Sequence, residues 1–111
     1  MDTVAFVSCT SYDRTAVERA MQQVCAWLHG PESFGVQNKR VFLKPNLLTD
    51  RTPEEAVTTH PEIVRAVIRL FKAAGAHVTV GDSPANTANL EQVWKKSGIG
   101  AVCAEENVPL I

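Results

Sequence analysis

The chain reads as an α/β fold, a mostly parallel sheet covered by helices on both faces in a three-layer, doubly wound arrangement. Two observations predict it. Short, largely apolar runs at Val4-Ala5-Phe6-Val7, Val41-Phe42-Leu43 and His77-Val78-Thr79-Val80 have the length and β-branched content of buried strands. Between them lie segments whose apolar residues recur at helical spacing. The resulting order, β-α-β-α-β-α with a further strand opening at Val108-Pro109-Leu110-Ile111, is that of a parallel sheet with right-handed crossovers.

Val4 to Val7 is bounded by the polar turn Ser8-Cys9-Thr10-Ser11. Asp13 is placed to cap a helix with Val17, Ala20, Met21, Val24 and Leu28 on one side and Arg14, Glu18 and Gln22 on the other. Gly30-Pro31 ends it. Pro45, which cannot donate to a ladder, stops the strand Val41–Leu43. A long polar connection from Leu47 to Thr58 follows. Thr59 and Glu62 have capping-box spacing and Pro61 suits a first helical turn, so the sequence predicts a helix with Thr59 as its cap. Its apolar face is Ile63, Val64, Val67, Ile68 and Phe71; Arg65, Arg69 and Lys72 face water, and Gly75 is the stop. After the strand His77–Val80 come Gly81-Asp82-Ser83-Pro84, a helix over about Leu90–Lys96, breaks at Gly98 and Gly100, and a short helical turn from Ala101 to Glu106.

With 111 residues, 45 % hydrophobic and 21 % charged, the composition is that of one soluble globular domain spanning 1–111. A net charge of −1 gives no electrostatic case for nucleic acid or an anionic membrane surface as partner. No apolar stretch approaches the roughly 20 residues that span a bilayer. Cys9, Cys25 and Cys103 are odd in number and form no C-x-x-C pair, which points to a reduced, cytoplasmic setting. The chain stops as a strand begins, so it is expected to be the N-terminal part of a longer protein.

In an open parallel sheet, ligands bind beyond the carboxyl ends of the strands. Those ends read Ser8-Cys9-Thr10-Ser11, Lys44-Pro45-Asn46 and Gly81-Asp82-Ser83-Pro84. Lys44, at the end of an apolar strand, is suited to bind a carboxylate or phosphate, or to serve as base or Schiff-base amine. Asn46 either orients a substrate group or closes a turn. His60 sits at a helix start, where the dipole favours a neutral ring able to accept a proton or donate to an anion. Asp82 is a base, a cation ligand or a partner for Lys44, unless it merely caps a turn. Thr10, Thr59 and Ser83 supply hydroxyls for substrate binding. Dinucleotide, Walker-type and hydrolase-elbow signatures are missing, and no His or carboxylate pair has metal-ligand spacing.

Taken together, Val41-Phe42-Leu43-Lys44-Pro45-Asn46, then Thr58-Thr59-His60-Pro61-Glu62-Ile63-Val64-Arg65-Ala66, then Ala74-Gly75-Ala76 and Val78-Thr79-Val80-Gly81-Asp82-Ser83-Pro84 resemble the domain-of-unknown-function 362 family. The resemblance implies a shared site around Lys44, Asn46, His60 and Asp82. It also implies a ferredoxin-like iron–sulfur segment elsewhere in a longer protein, since the closely spaced cysteines of such a segment do not occur here. The expected function is therefore that of a cytoplasmic, iron–sulfur-associated enzyme domain binding a small anionic metabolite, with no cofactor in this chain. The rival is an interaction module whose edge strand docks onto a downstream domain or a second copy.

Overall fold

The computed structural model describes residues 2–82 and 89–111. Among these residues four helices, α1 (Arg14–Trp27), α2 (Pro61–Ala73), α3 (Leu90–Ser97) and α4 (Ile99–Glu105), accompany two strands, β1 (Arg40–Leu43) and β2 (His77–Val80). Short 3-10 turns occupy Pro31–Phe34 and Pro53–Glu55. The strands pair in parallel, Arg40 against His77 through Leu43 against Val80. The parallel sheet expected from the sequence is present, small.

Burial alternates along both strands and shows where the core lies. Val78 and Val80 are buried on β2, and Val41 and Leu43 pack against the same cluster from β1. That cluster is completed by Val64 and Ile68 of α2, Val93 of α3, Ile99, Val102 and Cys103 of α4, and by Leu47 and Val108. The opposite-face positions Arg40, Phe42 and His77 are exposed, Phe42 at 54 %. Helices thus gather on one face of the sheet, and the three-layer covering is not formed among the described residues. Helix α1 packs on α2.

Two expected strands fail to form. Residues 2–13 carry no regular structure, and Val4 and Phe6 are 71 % and 82 % exposed. An apolar run of four residues is a strand only when an edge receives it, because isolated pairing is marginal in water. Val108–Ile111 contributes only an isolated parallel bridge between Leu110 and Val80.

The helix ends follow their sequence signals with one shift of register. Asp13 caps α1, its carboxylate accepting from the Ala16 N–H at 3.3 Å. The cap of α2 is His60 rather than Thr59: its Nδ1 accepts from the Glu62 N–H at 3.1 Å, with Pro61 in the first turn. Thr59 is engaged elsewhere, as described below. Gly75 follows the end of α2 at φ 87°, and Gly98, at φ 79°, separates α3 from α4. Gly100 lies within α4 and breaks nothing.

Arg65, expected to face water, is buried. Its Nη2 donates to Glu105 at 2.6 Å and its Nε to Glu62 at 3.2 Å, so one guanidinium ties α2 to the end of α4. Desolvation works against its charge, but Glu105 and Glu62 outweigh it and hold the proton more firmly than usual. Arg69 extends the stitch to Glu106 and, on α1, to Glu18.

Candidate functional site

The site builds from the end of β1. Pro45 holds Lys44 in extended backbone, and the Lys44 ammonium reaches the Asp82 carboxylate at the end of β2, Nζ to Oδ1 at 2.5 Å. The pair is asymmetric: the lysine side chain is 65 % exposed and the aspartate 5 %. The other Asp82 oxygen accepts from the Leu47 N–H at 3.1 Å. Asp82 therefore fixes the turn after β1 while holding a cation whose outer side stays open to solvent.

Asn46 and Thr59 form a second clamp. The Asn46 N–H donates to the Thr59 hydroxyl at 2.9 Å, and the Thr59 N–H donates to the Asn46 carbonyl at 2.8 Å. The Asn46 amide also donates to Val57 O at 3.3 Å. These bonds draw together the two ends of the connection from 47 to 58, and buried Leu47 pins it to the core. Reading that connection as wholly polar missed Leu47. Of the two readings of Asn46, the turn-closing one matches its contacts.

Between β1 and α2 lies an open hollow of about 190 Å³, lined by Leu43, Lys44, Pro45, Thr59, Ile63, Val64 and Val67. Its walls are mostly aliphatic, with one ammonium and one hydroxyl at the rim. His60, beside Thr59 in the chain, does not line it. Its ring stacks flat on Tyr12, centroids 3.7 Å apart. Burial pushes its pKa down, against weaker upward pulls from Glu62 and Glu54. With Nδ1 accepting from the helix end, the neutral ring carries its proton on Nε2 and is a donor.

Thr10 lies on a neighbouring hollow of about 320 Å³, with Cys9, Ser11, Tyr12, Val17 and Ile63. The two hollows share Ile63. The structure thus pairs Lys44 with Asp82 and Asn46 with Thr59, and places His60 and Thr10 on their flank through Tyr12. Ser83 lies outside the described residues. Tyr12 was not anticipated, because an aromatic in a loop gives no periodic signal. A larger hollow of about 400 Å³ between α1 and α2 includes Arg69 and Glu18, whose charges already pair there, and it stands apart from the strand ends.

The cysteines do not fit an iron–sulfur cluster. Cys9 is exposed on the N-terminal segment, and Cys25 and Cys103 are buried free thiols on α1 and α4. Among the described residues no three His, Cys, Asp or Glu side chains group as metal ligands, and no helix is long and apolar enough to cross a membrane.

Helices packed on a small parallel sheet, with a cation, an amide and a hydroxyl at its carboxyl end, define an α/β protein. Residues 41–111 match the family model described as domain of unknown function (DUF362), and the chain belongs to that family. It is also 36 % identical over 83 residues to a protein named thylakoid-associated protein sll1697 from Synechocystis sp. (strain ATCC 27184 / PCC 6803 / Kazusa). That match covers 75 % of this chain and 26 % of the relative, so the chain spans about a quarter of the relative's length. No solved structure matches.

Proposed function

We propose that this chain supplies the anion-binding half of a site for a small carboxylate- or phosphate-bearing metabolite. The observation that carries the reading is the exposed Lys44 ammonium braced on buried Asp82 at the rim of the hollow. A buried carboxylate that orients a lysine without enclosing it leaves the outer ammonium hydrogens for a ligand oxygen. The Thr59 hydroxyl provides a second contact and the aliphatic wall receives the ligand's carbon skeleton. His60 is assigned as a hydrogen-bond donor through Nε2, and Asp82 as the residue that positions Lys44. Asn46 shapes the rim, and Thr10 is assigned to its edge.

In a longer protein of the family, further strands and helices would complete the doubly wound sheet, and a catalytic partner domain would face the same rim. We place that protein in a reduced, cytoplasmic compartment, as the two buried free thiols favour. Any iron–sulfur cluster would belong to segments other than this chain. The second reading, docking of the sheet onto another domain or copy, is favoured by exposed Phe42, Leu110 and Ile111.

Calorimetric titration with inorganic phosphate and with malonate separates the two. The anion reading expects binding that Lys44→Met weakens at least ten-fold. Equal binding by wild type and Lys44→Met, or none by either, contradicts it.

A further inference from the structure

Residues 4–7 are apolar and lie in the open, next to a gap that wants apolar atoms. Val7 and Cys9 border a hollow of about 200 Å³ whose other walls are Val17, Ala20, Met21 and Val24 of α1 and Ile63 of α2. The hollow is open to solvent and its walls are apolar, so it is a groove that further apolar side chains would cover favourably. Ile63 also borders the site hollow, so the gap and the site are continuous neighbours.

An acceptor edge stands beside it. Among the described residues β1 pairs only with β2. The Lys39 and Leu43 carbonyls accept from His77 and Gly81, toward β2. Strand alternation then turns the N–H and C=O groups of Arg40 and Phe42 toward the opposite edge. A four-residue segment, a crossover helix and a parallel neighbour are the parts of a right-handed βαβ unit, and residues 4–7, α1 and β1 stand in that order.

We propose that residues 4–7 are a strap that adds to the free edge of β1 when an anion occupies the Lys44 site. Strand parity puts Ala5 and Val7 on the face of Val41 and Leu43, where they fill the gap between α1 and α2. It puts Phe6 beside exposed Phe42 on the other face. Parallel addition carries the following residues, Ser8 to Ser11, to the carboxyl end of β1, where Thr10 and Ser11 hydroxyls complete the rim that Lys44 begins. Closure buries Ala5 and Val7 and encloses the ligand in one movement. This inference rests on the anion site proposed above.

Amide hydrogen exchange of the full chain, with and without inorganic phosphate, tests it, alongside NMR shifts at Lys44 and Thr59. Phosphate is expected to shift Lys44 and Thr59 and to slow exchange at residues 4–7 and at Phe42 by ten-fold or more. Ala5→Asp, at a position that does not border the gap until closure, is expected to abolish that protection while leaving the fold intact. Shifts at Lys44 with residues 4–7 still exchanging at unstructured rates overturn the strap and spare the site. Protection of residues 4–7 that is the same with and without phosphate overturns the coupling, as does protection that grows with protein concentration. The absence of shifts at Lys44 and Thr59 removes the site itself and the strap's ligand with it.

Discussion

At the residue scale, two side chains carry the proposed chemistry. Lys44 keeps an exposed head because Asp82 anchors it from below, so removing the anchor is expected to matter more for the ligand than for the fold. Asp82→Asn keeps an acceptor for Leu47 but loses the ion pair. Because Lys44 is largely exposed, the cost should be about 1 kcal/mol by chemical denaturation, with phosphate affinity falling several-fold. His60 contributes a pH dependence of its own. Its pKa lies below the ordinary value of 6.5, chiefly through burial. The folded state therefore binds that proton less readily than the unfolded state, and stability drops as pH falls below about 6.5, levelling off below the depressed value. Protonation at Nδ1 also ends its acceptance from Glu62. His60→Asp, which still caps α2, should flatten this dependence just below about pH 6.5; an unchanged profile would contradict the assignment. The thiols sort by burial. Burial pushes Cys103 up to about 11, so it should resist alkylation at pH 8 while exposed Cys9 reacts.

At the scale of elements, the interest lies in what holds α2, α4 and the strand ends in register. Arg65→Ala leaves Glu62, Glu105 and Glu106 facing one another and is expected to destabilise by about 2–4 kcal/mol, the upper end reduced because Glu105 is exposed. Urea unfolding measures it, and a loss below about 0.5 kcal/mol would show that the network is solvated. Gly81 has a different role: a Cβ there would stand 2.7 Å from the Ile111 carbonyl and 3.0 Å from the Phe42 ring. Gly81→Ala must therefore push the Leu110 bridge off β2, at a cost of about 1–3 kcal/mol. These contacts also show which parts of the fold could be read in advance. The cap of α1 and the glycine stops of α2 and α3 were legible because such signals use residues within a few positions of one another. Arg65 was not, since its partners Glu105 and Glu106 lie forty residues on, and helical periodicity alone assigns any arginine to water. Thr59 carried a cap signature, but the clamp with Asn46 claimed its hydroxyl, and the neighbouring imidazole took over the helix end.

For the whole molecule, the sheet was legible as parallel and its extent was not. Val4–Val7 has strand composition, yet strand formation depends on a partner edge, which composition does not reveal. Likewise Leu47 was hidden in a polar stretch because one buried residue sets no period. The strand ends were legible in outline: Lys44 meets Asp82 because consecutive parallel strands end on the same side of a sheet. That geometry, an ammonium braced from inside and open outside, is the centre of the account. Its most direct test is a two-dimensional NMR titration that follows the Lys44 side-chain resonances as phosphate or malonate is added. The account predicts a saturable shift at Lys44 and Thr59 that disappears in Asp82→Ala, whose lysine is no longer held at the rim. A Lys44 resonance that stays fixed at saturating concentrations of both anions would contradict it.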